Sequence, residues 1–281
     1  MGKLSIEIMK MNKNYKIPLC QPNLKGNEWK YLKKCVDTQW ISTSGNFVNK
    51  FENQLCRLTK SRHVVACING TSALQISLKL AGVSYNDEVI ISTLTFIAPV
   101  NAITYNNAKP IFMDVDEFFN IDVNKTIKFL KEETFFKKGF TYNKKTKRRI
   151  SAIIPVHVWG NAVDLDELIL VCRKKNIKVI EDAAESLGTF YIKGKYKNKH
   201  TGTVGDIGCI SFNGNKIVTC GGGGAILTNN NSIAKKARYL INQAKNDSMK
   251  FIHNDVGFNY KITNIHAAIG LAQLEKLNYF L

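Results

Sequence analysis

Lys216 stands in the stretch Ser211-Phe212-Asn213-Gly214-Asn215-Lys216, directly after the apolar run Ile207 to Phe212 and before the glycines 221 to 224. The run has the length and composition of a short buried strand. An amine held at the mouth of such a strand is partly desolvated, and a desolvated lysine amine is a nucleophile toward carbonyl groups. A second run, Ile177-Lys178-Val179-Ile180-Glu181-Asp182, ends in two acids. In an open α/β sheet, chemistry collects at the carboxyl ends of strands, which would bring Asp182 and Lys216 to one edge.

A Schiff-base lysine together with an acid for a pyridinium nitrogen is the pair that a pyridoxal phosphate site requires. Each feature alone is common: a lysine after a strand is usually a solvated loop residue, and an acid at a strand end is often a helix cap. A third stretch adds to them. Val64 to Ile68 reads as a strand running into Asn69-Gly70-Thr71-Ser72 and a helix with Leu74, Leu78 and Ala81 inward. Free backbone N–H groups and two hydroxyls at a helix start would cradle a phosphate. The same residues also read as a plain N-cap.

The elements that would position these groups follow from periodicity. Helices are expected at Asn27 to Asp37, with Trp29, Leu32 and Val36 on one face, and then with Phe47, Phe51, Leu55 and Leu58 at helical spacing. Glu88 to Thr93, Ala108 to Asp114 and Ile150 to Val158 read as strands. Helices are expected to start near Asp122 and at Asp164, the latter capped by Asp164 itself. Ala225 to Thr228 is a further strand, Ser232 to Lys245 a helix, and Asn264 to about Leu277 a last helix. Strands alternating with helices call for an α/β fold: a mainly parallel sheet with helices on both faces.

Composition sets limits on function. The chain has 281 residues, a 44% hydrophobic share and a net charge of +18. No apolar run reaches the roughly 20 residues of a membrane helix. Residues 1–16 read as an N-terminal extension without the apolar centre of a signal peptide. The seven cysteines are scattered, with no C-x-x-C pair, which argues for a reducing, cytoplasmic setting and against a disulfide framework or a metal site. The basic residues are spread out. Their two densest groups, Lys137 to Arg149 and Lys193 to Lys199, read as a surface insertion and a hairpin tip. That distribution favours a solvated surface, or attraction to an anionic substrate, over nucleic acid.

Seven stretches taken together resemble the DegT/StrS family of sugar-nucleotide aminotransferases, pyridoxal phosphate enzymes with an aspartate-aminotransferase-like fold. They are PNLKGNEWKYLKKCVDTQWISTSGNFVNKFE from Pro22, NGTSAL from Asn69, STLTFIAPVNAI from Ser92, PVHVWGNAVDLDEL from Pro155, VIEDAAESLGTFY from Val179, TGTVGDIGCISFNGNKIVTCGGGGAILTNN from Thr201 and GFNYKITNIHAAIGLAQLEKL from Gly257. The wording GNEWKYLKKCVDTQWIS, EDAAESLG and SFNGNK is most similar to the branch that aminates C-4 of a UDP-linked 4-keto-6-deoxy-N-acetylhexosamine. The perosamine-type enzymes, which use a GDP-linked sugar, look similar.

The resemblance implies a three-layer large domain over residues 17–281 that binds pyridoxal 5'-phosphate. It also implies that a smaller C-terminal domain is mostly missing, since family members run longer. Lys216 would be the Schiff-base lysine and proton shuttle, and Asp182 the partner of the pyridinium nitrogen. Gly70, Thr71, Ser72 and Ser211 would hold the phosphate, and Phe96 would stack on the ring. Glu185 stands where many relatives carry glutamine beside the cofactor's phenolic oxygen, a departure because two negative groups repel unless one holds a proton. Asn259 would reach the phosphate of a neighbouring subunit, so a homodimer is expected. The implied reaction moves an amino group from glutamate to a nucleotide-linked keto-sugar for surface-glycan biosynthesis. The dehydratase relatives carry histidine at the lysine position, which Lys216 argues against. A truncated, non-catalytic chain that serves as a binding or dimerisation partner is the alternative.

Overall fold

The protein is described by a computed structural model over residues 20–247 and 249–281, so the expected extension 1–16 and start at Ile17 lie outside the described residues. Its centre is one sheet. In chain order the strands are β1 (His63–Cys67), β2 (Glu88–Ser92), β3 (Lys109–Met113), β4 (Thr134–Lys137), β5 (Phe140–Asn143), β6 (Arg149–Ile154), β7 (Lys178–Asp182), β8 (Ile207–Ser211) and β9 (Gly224–Thr228). The spatial order is β1-β9-β8-β7-β6-β2-β3, with β4 and β5 added at β6. β3, β2, β6, β7 and β8 pair parallel, and β9 runs antiparallel between β8 and β1. The carboxyl ends of β1, β2, β6, β7 and β8 therefore open on the same edge.

Both faces of the sheet are covered, which is why its strands read as unbroken apolar runs. Val65 and Cys67 pack on one side with α3 (Gly70–Leu80), α4 (Ile97–Tyr105) and α7 (Asn231–Ile241). Val64 and Ala66 pack on the other with α1 (Glu28–Asp37), α2 (Asn46–Thr59) and α8 (Asn264–Leu274). Ile90 joins α5 (Val123–Glu132) and α6 (Asp166–Lys174) on that second side. The expected three-layer arrangement is present. A short α9 (Leu277–Phe280) follows α8.

Side-chain caps fix several helix starts: Asn69, Asp122, Asn230 and Thr263 each accept a backbone N–H from the first turn of α3, α5, α7 and α8. The basic stretch 137–149 lies largely in the β4–β5 hairpin, and the stretch 193–199 lies at a hairpin tip closed by Asn198 N–H on Tyr191 O.

Four expectations shift. The strand from Ile150 ends at Ile154, because Pro155 has no N–H for the ladder. The helix near Asp164 starts at Asp166, and the Asp164 carboxylate accepts the N–H of Asp166 from outside the helix. α7 ends at Ile241 instead of Lys245, because Gln243 and Ala244 take left-handed backbone angles. The chain then forms a small hairpin, β10 (Lys245–Asp247) with β11 (Ile252–His253). Lastly, α1 does not bury the Trp29 and Val36 face; those residues are 77% and 64% exposed. Glu28 and Cys35 face inward instead, where Gln273 Nε2 donates to Glu28 (2.6 Å) and Asn264 Nδ2 to Cys35 Sγ (3.3 Å). Polar partners on α8 decide which face of α1 packs.

Candidate active site

Five strand ends deliver the candidate residues to one cavity of about 500 Å³ at the carboxyl edge. β7 ends at Asp182 and leads to Glu185. β8 ends at Ser211 and leads to Lys216. β1 leads to Gly70 and Thr71, β2 to Thr95 and Phe96, and the chain after β6 to His157 and Trp159; all of these line the cavity. The sequence pairing of Asp182 with Lys216 is thus met in space.

Lys216 Nζ donates to Glu185 Oε1 at 2.9 Å, and the lysine side chain is 16% exposed. Glu185 Oε2 accepts the N–H of Trp159 at 3.1 Å. Burial pushes the Glu185 carboxyl up, but the Lys216 hydrogen bond and charge, with the Trp159 N–H, outweigh it and hold the group below the usual carboxylate range.

Asp182 is 4% exposed. Burial pushes its carboxyl up to about 6, against the opposing pull of the Ala184 N–H, His157 and Lys216. Its Oδ1 accepts from Ala184 N at 3.1 Å. The adjacent Glu181 points the other way into a closed polar pocket. It accepts from His157 Nε2 (2.9 Å) and from the N–H groups of Gly202, Val204 and Gly205 (2.8, 2.7 and 2.6 Å). His157 Nδ1 in turn accepts the Val163 N–H at 3.1 Å, so the ring hydrogen sits on Nε2, facing Glu181. Burial raises Glu181, and the His157 hydrogen bond with the backbone donors outweighs it, leaving the carboxyl below its ordinary value.

The phosphate-cradle candidates divide. Asn69 Oδ1 takes the Ser72 N–H at 2.7 Å, so that donor is spent on the cap, and Ser72 does not line the cavity. The cap reading of this turn therefore holds for Asn69, and the Ser72 N–H is not free for a phosphate. Gly70, Thr71 and Ser211 do line it. A Cβ at Gly70 would come 2.9 Å from Ser211 Cβ, closer than packing allows, so glycine lets the start of α3 press against the end of β8. Phe96 lines the cavity with its ring 78% exposed. Asn259 is exposed and does not line the cavity of its own chain.

These residues fit pyridoxal phosphate. A buried acid lifted to about 6 calls for a cationic partner such as a ring N–H⁺. Thr95 Oγ1 is buried at the cavity wall without a hydrogen-bond partner. The start of α3 offers backbone N–H groups to an anion. Thr95, His157 and Trp159 did not stand out in the sequence. His157 and Trp159 sit in PVHVWGN, and their position three and five residues past a strand end was the available signal.

The model of the DegT/DnrJ/EryC1/StrS aminotransferase family matches residues 22–281. The chain is 40% identical over 264 residues to a GDP-perosamine synthase of Caulobacter vibrioides, covering 94% of this chain and 66% of that protein. It is 38% identical over 265 residues to a GDP-perosamine synthase of Escherichia coli O157:H7, covering 94% and 67%. The chain thus spans about two thirds of the length of the curated relatives it matches. A crystal structure of an aminotransferase of the same family from Brucella abortus superposes with a TM-score of 0.80 at 28% identity, over 90% of this chain and 64% of that one. Among the described residues, no helix is long and apolar enough to cross a membrane.

Proposed function

The chain belongs to the DegT/DnrJ/EryC1/StrS aminotransferase family, and on that premise we propose that it carries the cofactor half of a pyridoxal phosphate-dependent aminotransferase acting on a nucleotide-linked 4-keto-6-deoxy sugar, with glutamate as amino donor. The observation that carries the reading is the shared cavity of Lys216, Asp182 and the start of α3. The proposed unit is the large domain, residues 17–281, with a further domain completing the substrate wall.

When bound, pyridoxal phosphate supplies a carbonyl that amines condense with and a ring that withdraws electrons. Lys216 would be the amine that holds that carbonyl, and when free its Nζ would take a proton from the donor's α-carbon and return one to the substrate. Asp182, desolvated but ionised above about pH 6, would keep the ring nitrogen protonated by accepting a hydrogen bond from its N–H. Gly70 and Thr71 offer N–H and O–H donors, and Ser211 a hydroxyl, to the phosphate. Glu185 holds the Lys216 amine on the cavity side whenever that amine is free. Phe96 covers a face of the ring.

The nucleotide is the finer point. The motif wording resembles the UDP-linked branch, whereas the two relatives above are named for a GDP-linked sugar. The net charge of +18 suits either anionic substrate. A homodimer is part of the proposal. Asn259 reaches no part of its own cavity, and Phe96 and Ile97 beside the site are 78% and 58% exposed, as expected of a surface that a second copy completes.

The test is a visible spectrum of the purified chain with pyridoxal phosphate, before and after borohydride, beside Lys216→Ala. A yellow, borohydride-trapped adduct in the unsubstituted chain alone, followed by 2-oxoglutarate release from glutamate with a GDP- or UDP-linked keto-sugar, is expected. A folded chain that traps no cofactor would overturn the reading and leave the non-catalytic partner role.

A further inference from the structure

Trp159 is held in an unusual way. Its φ and ψ are 51° and 25°, the left-handed region that a bulky residue avoids. Its side chain is also 67% exposed, although it lines the cavity. A strained backbone carrying an exposed indole is disfavoured twice, so neighbouring contacts must hold it.

Those contacts are plain. Asn120 is 2% exposed and clamps the turn at both ends: its Oδ1 accepts the Val158 N–H (3.2 Å) and its Nδ2 donates to Asn161 O (3.3 Å). Glu185 Oε2 takes the Trp159 N–H, and Thr189 Oγ1 donates to Gly160 O at 3.1 Å. The residue before the clamp, Phe119, is itself left-handed at φ 64° and sets its ring edge-on to Trp159, with centroids 5.3 Å apart. Its segment is tied in turn by the Asp116 carboxylate, which accepts the N–H groups of Phe118 and Asn120. One buried asparagine thus fixes both the indole and the ring that braces it.

We infer that Trp159, braced by Phe119, is the stacking face for the hexose ring of the substrate and a determinant of sugar affinity. The inference rests on the nucleotide-sugar reading above and adds the residue that holds the sugar. Three points select the hexose. One carboxylate joins the Trp159 backbone N–H to Lys216 Nζ, so the backbone that carries the indole is one side chain away from the reacting amine, in the same cavity. In a nucleotide sugar the carbon to be aminated belongs to the hexose, while the base lies beyond a diphosphate. The C–H groups of a pyranose face carry slight positive charge and settle on the negative face of an aromatic ring, and the methyl of a 6-deoxy sugar extends that apolar contact.

The experiment uses the full chain loaded with pyridoxal phosphate, and two pairs of probes: GDP-mannose against GDP, and UDP-N-acetylglucosamine against UDP. Tryptophan fluorescence reports binding, since of three tryptophans Trp159 lines the cavity while Trp29 and Trp40 lie on α1 and just after it. At least one sugar nucleotide is expected to bind more tightly than its free nucleotide and to quench the emission. Trp159→Ala should weaken that sugar nucleotide by about five- to tenfold and the free nucleotide by less than about twofold, read by calorimetry. Trp159→Phe should recover most of the difference, and Phe119→Ala should lose part of it. Borohydride trapping at Lys216 in each variant establishes that the site is still formed. Equal weakening of sugar nucleotide and free nucleotide would overturn the inference while leaving the nucleotide-sugar reading in place. So would unchanged binding together with a change of oligomeric state, which would make Trp159 a contact between copies. No binding of any probe to the unsubstituted, cofactor-loaded chain would overturn both.

Discussion

The amine of Lys216 lies 2.9 Å from Glu185 Oε1, so the nucleophile of this site already has a carboxylate partner. The same carboxylate takes the Trp159 N–H, which ties the lysine to the turn after β6. Glutamate at this position is therefore fitted to the lysine.

A carboxylate beside a cationic nitrogen favours its protonated form. In the cofactor-loaded chain, Glu185→Gln is expected to move the pH at which the visible band changes down by about one unit. A spectrophotometric titration of both proteins measures it. No movement, or an upward one, would show that Glu185 does not face the bonded nitrogen.

Asp182 gives a stability signature in the cofactor-free chain. Its folded value, about 6, lies above the unfolded one, so the folded state binds the proton more tightly. Its contribution is complete below the unfolded value and is lost as pH rises through about 6, a loss of order 3 kcal/mol. Asp182→Asn keeps the acceptor for Ala184 without the charge. It should be more stable than the parent at pH 7.5 by roughly 3 kcal/mol, and by only about 1 kcal/mol at pH 4.5. Urea midpoints at the two pH values decide it, and pyridoxal phosphate should narrow the gap at pH 7.5 by stabilising the parent.

Glu181 is buried with four donors upon it, so removing it orphans His157 Nε2 and three backbone N–H groups. Glu181→Ala is expected to cost about 3–5 kcal/mol, measured by denaturant unfolding. Its carboxyl is held below the usual range, so this contribution stands above the unfolded value and fades as pH falls. A cost under about 1 kcal/mol would mean that water replaces the carboxylate.

Gly70→Ala would force a methyl to within 2.9 Å of Ser211 Cβ and push α3 off the end of β8. A loss of about 1–3 kcal/mol from overpacking is expected, with at least tenfold weaker cofactor retention. Gly214→Ala, two residues before Lys216, where a Cβ meets nothing within 4 Å, is the control and should change little. Equilibrium dialysis with pyridoxal phosphate compares the three proteins.

Much of the site was legible because strand ends are legible. Apolar runs that stop at Asp182 and Phe212 announce buried strands, and parallel pairing then brings their ends to one edge. Asn69 was open to two readings because a cap and a cradle use the same residue types, and the distance from Asn69 Oδ1 to the Ser72 N–H separates them. The face of α1 was misleading for a related reason. Periodicity counts Trp29 and Val36 as inward, and it has no means of weighing Gln273 and Asn264, more than two hundred residues away in the chain.

By itself the sequence determined the alternation of strands and helices, the sheet buried on both faces, and the pairing of a lysine with an acid. Those follow from local periodicity and from the placement of polar residues at the ends of apolar runs. Only the tertiary structure decided that Glu185 holds Lys216, that Glu181 turns from the cavity to His157, and that Asn120 strains Trp159 into the cavity wall. Each depends on where a side chain points and on which partner lies across a strand or a loop. Such directions are fixed by packing among segments far apart in the chain, and residue types in series do not carry them.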